Sequence, residues 1–184
     1  HIYLSHKVEA NNLQRLAYGT ADAKEATLSF WVKSSVTGDY SLTMYSEDGS
    51  RGYNTTYSIS SANTWEYKSL LIPADASGTI NNDNGSGLEC LFSLSQGGTY
   101  SSGNSMSGAW ATYAVDGFGY GQTADVMGIA GATWQITGVQ LEVGDTATPF
   151  EHRSIGQELA LCQRYYTKLG GDAVADIYGA AYIT

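Results

Sequence analysis

Short segments in which apolar and polar residues alternate recur along most of the chain, and this period of two limits the possible folds more than any other feature. In segment 27–33, Leu28, Phe30 and Val32 fall on one side, whereas Trp31 falls on the other. Because successive side chains of a β-strand point to opposite faces of its sheet, the alternation predicts strands with one buried face. Six segments have this character: 27–33, 39–45, 53–60, 64–72, 88–94 and 133–143.

No helical periodicity separates these segments, and the composition agrees with a fold of many strands and turns. The 184 residues include 22 Gly and 14 Tyr, and only 15% of them are charged. Glycine is favoured in turns and tyrosine on sheet surfaces. The sequence therefore predicts an all-β fold, an antiparallel β-sandwich over residues 1–150.

Gly138 interrupts the alternation of the last of these strands. The apolar positions are Trp134 and Ile136 before it, and Val139, Leu141 and Val143 after it. A shift of one residue at a glycine predicts a β-bulge, beyond which the apolar side chains face the core again.

The segment after the sandwich has helical rather than strand periodicity. Ser154 and Gln157 have the spacing of a capping box, which begins a helix. The apolar residues that follow are three or four positions apart: Ile155, Leu159, Cys162 and Tyr166. We expect a helical connector over 151–171 with more than one buried face, packed on its own sandwich and near a symmetry mate. Residues 172–184 are expected to be the first strand of a truncated C-terminal β element.

The charge and the ends of the chain narrow the classes of function. With 9 Lys and Arg against 18 Asp and Glu, the net charge of −9 argues against nucleic acid and anionic membranes as partners. No apolar run is long enough for a transmembrane helix. Cys90 and Cys162 lie among apolar neighbours and are expected to be buried free thiols. Because the chain starts at His1 and ends in a strand-like segment, we expect a piece of a longer polypeptide.

Two stretches near the end of the predicted sandwich are distinctive: Ile-Thr-Gly-Val-Gln-Leu-Glu-Val-Gly at 136–144 and Thr-Pro-Phe-Glu-His-Arg at 148–153. Together with the helix up to residue 166 they resemble a segment of bacteriophage tail-fibre and other virion surface proteins. There the segment closes a jelly roll similar to carbohydrate-binding modules. Segments 28–33, 63–67 and 87–94 fit the same pattern.

The resemblance implies a part of the virion surface rather than a particular receptor. Its implied partners are a host surface glycan, other virion proteins and two further copies of the chain in a homotrimer. Sugar-binding jelly rolls often hold a structural calcium ion, and no other cofactor is implied. Loop 82–86 is rich in oxygen donors but contains only one charged residue, Asp83, so a solvated turn is the favoured interpretation.

The sequence contains no catalytic motif, and we expect no enzyme activity. The histidines are His1, His6 and His152, without the spacing of a zinc helix, and the last is expected to be a polar packing residue. Segment 117–121 is glycine-rich but is interpreted as a turn. A glycosidase would need two facing carboxylates. The candidates, which sequence spacing does not pair, are Asp39, Glu47, Glu89, Asp116 and Glu142.

Sugar binding is the most directly testable hypothesis. A site for a pyranose needs an aromatic ring for its apolar face and nearby hydrogen-bonding side chains for its hydroxyls. Most candidates lie in or just after the glycine- and serine-rich segment 97–108, and Gln96 immediately precedes it. The predicted carbohydrate-binding residues are Trp110, Tyr100, Tyr113, Trp31, Asn104 and Asp116. Trp31 alternatively belongs to a subunit interface. Trp65 and Trp134 are expected in the core.

Three functions remain open at this point. The first is a non-catalytic domain of a phage tail or head fibre that binds host glycans. The second is a purely structural virion part, a fibre spacer or capsid decoration without a ligand. The third is a part of a glycan depolymerase whose catalytic residues lie elsewhere. In each case the predicted location is the virion surface.

Overall fold

The computed structural model describes residues 1–165. The chain forms two compact units. The first unit, His1–Pro149, contains eight strands, and the second begins at Phe150. The strands are β1 (Ile2–Glu9), β2 (Ala26–Ser34), β3 (Gly38–Ser46), β4 (Arg51–Ile59), β5 (Glu66–Ile72), β6 (Ser86–Ser95), β7 (Ala111–Thr112) and β8 (Trp134–Val143).

The eight strands form two sheets. One has five strands in the order β1-β6-β3-β4-β7, and the other has three in the order β5-β2-β8. Neighbouring strands run antiparallel in both. The predicted all-β sandwich is therefore confirmed, and each of the six alternating segments is a strand. The narrower description as a jelly roll stays a prediction.

Aromatic side chains from both sheets meet in the core. Phe30 of β2 makes edge contacts with Tyr57 of β4 and Phe92 of β6, at centroid distances of 5.1 and 5.2 Å. The hydroxyl of Tyr40, which is fully buried, donates to the carbonyl of Val36 at 2.7 Å. The alternating apolar faces predicted from the sequence thus become the two inner surfaces of the sandwich.

A 3-10 helix, Ala10–Leu16, contributes two leucines to the core. Its buried residues are Ala10, Leu13 and Leu16, and this spacing of three matches the three residues per turn of a 3-10 helix. This element is not predicted from the sequence, because a spacing of three over so short a segment resembles neither a strand nor an α-helix.

The predicted bulge at Gly138 is confirmed. Trp31 pairs with Thr137 but Ser29 pairs with Gln140, so two residues of β8 lie opposite one residue of β2. Gly138 has a φ of 58°, which glycine adopts readily. The expectation that Val139 faces the core is wrong, because the bulge turns it outward and leaves it 44% exposed.

Val143 was also expected in the core, and this expectation is wrong too. It is the last residue of β8 and is 41% exposed, because it lines the cleft beside the 3-10 helix instead of packing in the core.

The second unit contains helix α1, Ile155–Gln163, and its predicted capping box is confirmed. The Ser154 hydroxyl accepts a hydrogen bond from the backbone N–H of Gln157. The side-chain oxygen of Gln157 in turn accepts one from the backbone N–H of Ser154 at 3.0 Å. Within residues 1–165 none of the helix residues is buried, so the expectation of more than one buried face is wrong for this part of the chain. The predicted helix end and the strand over 172–184 lie outside the described residues.

The two cysteines differ in their surroundings. Cys90 is buried in β6, as predicted, and burial raises the pKa of its thiol. Cys162 is exposed on α1, so the prediction that it is buried is wrong.

Candidate functional site

The segment predicted to carry most of the sugar contacts folds over the outer face of the five-stranded sheet. We call residues 97–122 the cover loop. The hydroxyls of Ser41 and Thr43 donate to the carbonyl of Phe118 at 2.9 and 2.8 Å, and the Asn54 amide nitrogen donates to the same oxygen at 3.2 Å. All four residues are buried. The loop therefore closes a polar sheet face by matching its donors.

Met106 anchors the cover loop in a notch of this sheet. Its side chain is fully buried against Gly52 of β4, where a Cβ atom would lie closer than 3.0 Å to the sulfur. The backbone carbonyl of Met106 accepts a hydrogen bond from the backbone N–H of Asn54 at 2.7 Å. Glycine is needed at position 52 because the methionine occupies the space of a side chain.

Two of the predicted aromatic residues lie in a cluster on the outside of this sheet. Tyr100 contacts the ring of His1 at a centroid distance of 4.8 Å, and Tyr113 contacts Tyr45 at 4.3 Å. Both predicted residues are half-buried. Burial, reinforced by the neighbouring Tyr45, raises the pKa of Tyr113 to about 12. Their rings pack on neighbouring rings and leave only part of each surface open to a ligand.

The predicted polar partners serve the cover loop itself. Asn104 is exposed, and its carbonyl accepts from the Ser107 amide at 3.0 Å in a turn. The carbonyl of Asp116 accepts from the Gly103 amide at 2.9 Å, and its exposed carboxylate lies against the same glycine. The Gln96 side chain donates to the Ser93 hydroxyl.

Trp110 lies on the other side of the five-stranded sheet from Tyr113. Its indole nitrogen donates to the Pro73 carbonyl at 2.7 Å, and its ring contacts the core residues Tyr18 and Tyr53. The sequence placed Trp110 beside the loop tyrosines as a sugar contact. The structure instead makes it part of the packed wall of the sandwich, so these three aromatic residues do not share one surface.

Trp31 lies far from that group in the fold, on the outer face of the three-stranded sheet. Its ring is 5.4 Å from that of Tyr67, with which it pairs across β2 and β5, and the two side chains are 45% and 46% exposed. Trp65 is 41% exposed, with the ammonium of Lys33 5.1 Å from its ring centroid. We call Trp31, Trp65 and Tyr67 the aromatic platform.

The prediction that Trp65 belongs to the core is therefore wrong. Trp65 immediately precedes β5 and shares the outward side of Tyr67, so it faces away from the core. The corresponding prediction for Trp134 is confirmed, because that ring packs against the core and contacts Phe92 at 5.9 Å.

Hydrogen-bonding side chains continue the platform onto β8. Thr137 lies opposite Trp31, and Gln135 lies opposite Lys33. Both are exposed, and neither side chain forms a hydrogen bond within residues 1–165. Tyr67 contributes a further exposed hydroxyl. The open surface thus combines aromatic rings on one side with free amide and hydroxyl groups on the other.

The charged side chains of β5 face away from the platform. Glu66 and Lys68 alternate with Tyr67 and form an ion pair of 2.7 Å. The hydrogen bond from Lys68, with further ones from the backbone amides of Ser61 and Ser60, holds the pKa of Glu66 below its ordinary value. Inward charges on an edge strand also discourage pairing with another chain.

The remaining candidate chemistry is dispersed. Glu47 and Glu89, two of the carboxylates considered for a glycosidase, both form ion pairs with Lys7. His152 contacts the ring of Phe150 at 5.1 Å in the second unit. Asp83 accepts from the Gly85 amide at 2.8 Å in its own turn. Among residues 1–165, no three His, Cys, Asp or Glu side chains are grouped as metal ligands would be.

A cleft of about 500 Å³ lies beside the 3-10 helix, and its walls differ from those of a sugar site. Leu13, Leu16 and Leu141 line it, with Arg15 and Glu142 as its charged residues. Of the residues that the structure describes, no aromatic one lines the cleft, whereas the platform offers three.

No family model matches this chain, and no curated protein or solved structure matches it either. Within the described residues, no helix has the length and apolar character needed to cross a membrane. Any assignment of function therefore depends on the chemistry of the site.

Proposed function

We propose that this chain is a non-catalytic part of a bacteriophage virion surface and that it binds host glycans through the aromatic platform. The observation that carries the glycan proposal is the exposed pair of Trp31 and Tyr67, 5.4 Å apart on one sheet face. The location on a virion is supported by the resemblance of segment 136–166 to tail-fibre proteins.

The chemistry of the platform suits a carbohydrate. A pyranose has an apolar face that packs on an indole or phenol ring, and a rim of hydroxyls that needs donors and acceptors. The platform supplies the rings. Gln135 and Thr137 supply the polar groups from β8, the strand next to that of Trp31. Large aromatic side chains left exposed together commonly mark a binding surface.

The proposal is tested on a glycan array with the wild-type chain and Trp31→Ala. Leu71→Ala is the matched control, because Leu71 is an aliphatic residue of β5 that is 46% exposed. We expect the wild type and the control to bind the same glycans, and Trp31→Ala to lose them. Binding that survives in Trp31→Ala, or no binding by any of the three proteins, would refute the platform as a glycan site.

A second candidate is a structural virion part that uses its apolar surfaces for assembly, as a homotrimer or against other virion proteins. The observation that favours it is α1, on which Ile155, Leu159 and Leu161 are all exposed. Light scattering of the chain and of Leu159→Glu tests it, since an assembly through α1 would be a trimer that the substitution dissociates. A monomer in both cases would oppose the trimer. Release of reducing ends from host polysaccharide would instead indicate a depolymerase.

A further inference from the structure

We infer that the aromatic platform selects a neutral, soluble glycan whose successive sugar rings are rotated, rather than an acidic glycan or a flat crystalline polymer. This inference rests on the proposed glycan binding and specifies its ligand class. Three features of the outer face carry it: its charge, the angle between its rings and its open dimensions.

The outward positions of the three strands contain little charge. Lys33 lies over the ring of Trp65, and Glu142 accepts from the Thr148 hydroxyl at 2.5 Å. That hydrogen bond, with one from Gln140, holds the pKa of Glu142 below its ordinary value, so its carboxylate is ionised at neutral pH.

No arginine occupies an outward position of these strands. Carboxylate and sulfate groups are recognised best by arginine forks, and a chain of net charge −9 repels polyanions. A neutral glycan needs no arginine for its recognition and is not repelled by the negative net charge of the chain.

The two rings of the platform that pair across β2 and β5 are not coplanar. The planes of Trp31 and Tyr67 are inclined by 54°, and their centroids are 5.4 Å apart, about the length of one pyranose. A flat crystalline surface would need both rings in one plane. Two sugars of a single chain can each pack on one ring only if their own planes are rotated with respect to each other.

The open part of the face is short along the strands. Thr27 and Ser29, the next outward residues of β2, are buried. The segment after β8 folds back there, with the Gly144 carbonyl accepting from the Thr27 hydroxyl at 2.7 Å. Only the rows of Trp31 and Lys33 stay open along β2.

Across the strands the face is longer. The row from Tyr67 through Trp31 to Thr137 spans about 10 Å at the usual separation of neighbouring strands. This is room for two to three sugar residues lying across the strands. The ligand is therefore expected to be a short stretch of a chain that crosses β5, β2 and β8.

The experiment compares ligand classes with the wild type, Trp31→Ala and Lys33→Gln. The probes are an array of neutral, sialylated and uronate oligosaccharides, together with powdered microcrystalline cellulose. We expect signals on neutral oligosaccharides that fall at least about tenfold in Trp31→Ala, since one stacked ring contributes about that factor. Lys33→Gln should change them less than about twofold, and about 0.5 M salt should leave them unchanged.

Each outcome decides between the two proposals. Binding of sialylated or uronate glycans that depends on Trp31 and weakens in Lys33→Gln would overturn the neutral class and leave glycan binding intact. Depletion on crystalline cellulose that depends on Trp31 would overturn the rotated-ring argument alone. The absence of any signal dependent on Trp31 would overturn both. Because Trp31 is exposed, its variant should fold, which circular dichroism of all three proteins verifies.

Discussion

Replacing Gly52 with alanine should loosen the cover loop by forcing Met106 out of its notch. The new methyl group would lie closer than 3.0 Å to the methionine sulfur and 3.4 Å from the ring of Tyr113. Met106 is fully buried, so its side chain has no free space into which it can move without carrying the loop with it.

The expected cost follows from two opposing effects. Overpacking costs about 1–3 kcal/mol, and partial exposure of a buried methionine adds to it. Alanine in place of glycine also restricts the unfolded chain, which returns about 0.4–1 kcal/mol. We therefore expect Gly52→Ala to lower the free energy of unfolding by about 2 kcal/mol.

The decisive comparison is a double-mutant cycle with Met106→Ala. Met106→Ala alone should cost about 3 kcal/mol, because it leaves a cavity between the loop and the sheet. In that background the methyl group at position 52 has room, so Gly52→Ala should cost nothing or stabilise slightly. The coupling energy should then be about 2 kcal/mol.

Urea unfolding followed by tryptophan fluorescence supplies the four free energies. Limited proteolysis within segment 97–108 gives an independent measure, since a displaced loop is cleaved faster. If Gly52→Ala costs the same with and without Met106, to within about 0.5 kcal/mol, the two residues do not share the notch and the explanation for the glycine fails.

Two further predictions concern groups around the same sheet. Asp75→Asn should destabilise the chain by about 2–3 kcal/mol in urea, because it leaves Arg51, 2.6 Å from the buried carboxylate, without its counter-charge; a loss below about 0.5 kcal/mol would contradict this. The raised pKa of Tyr113, about 12, predicts that its contribution to stability is complete below the ordinary tyrosine pKa of 10.0 and is lost as the pH rises towards 12. Ultraviolet titration against Tyr113→Phe checks it, and a tyrosine titrating near pH 10 that disappears in the variant would be the contrary result.

The sequence predicted strands wherever one face of a strand is buried and the other is not. It missed β1, because all but the last two residues of that edge strand are exposed and no alternation marks them. It missed β7, because two residues are too few for any period. The bulge at Gly138 was predictable because the strand on each side of it retains its own alternation.

The candidate site was only partly predictable, for a related reason. Trp31 could be assigned to an outward face because it lies within a regular strand. Trp110 could not, because it lies in a loop without periodicity, and its position depends on a hydrogen bond to Pro73, which is 37 residues away in the chain. Tyr67 was missed as a partner of Trp31 because the sequence of neither strand alone determines the register between β2 and β5.

Burial alone would favour apolar side chains on a covered face and polar side chains on an exposed one. The outer faces of the two sheets show the opposite arrangement. The five-stranded sheet buries the polar groups of Ser41, Thr43 and Asn54, and this is tolerable because the Phe118 carbonyl accepts from all three. The three-stranded sheet leaves the indole of Trp31 45% exposed, although covering it would stabilise the fold. The polar face is thus explained within the domain, by a loop that matches its donors. The aromatic face has no comparable explanation among residues 1–165, and a ligand that packs on its rings would supply one.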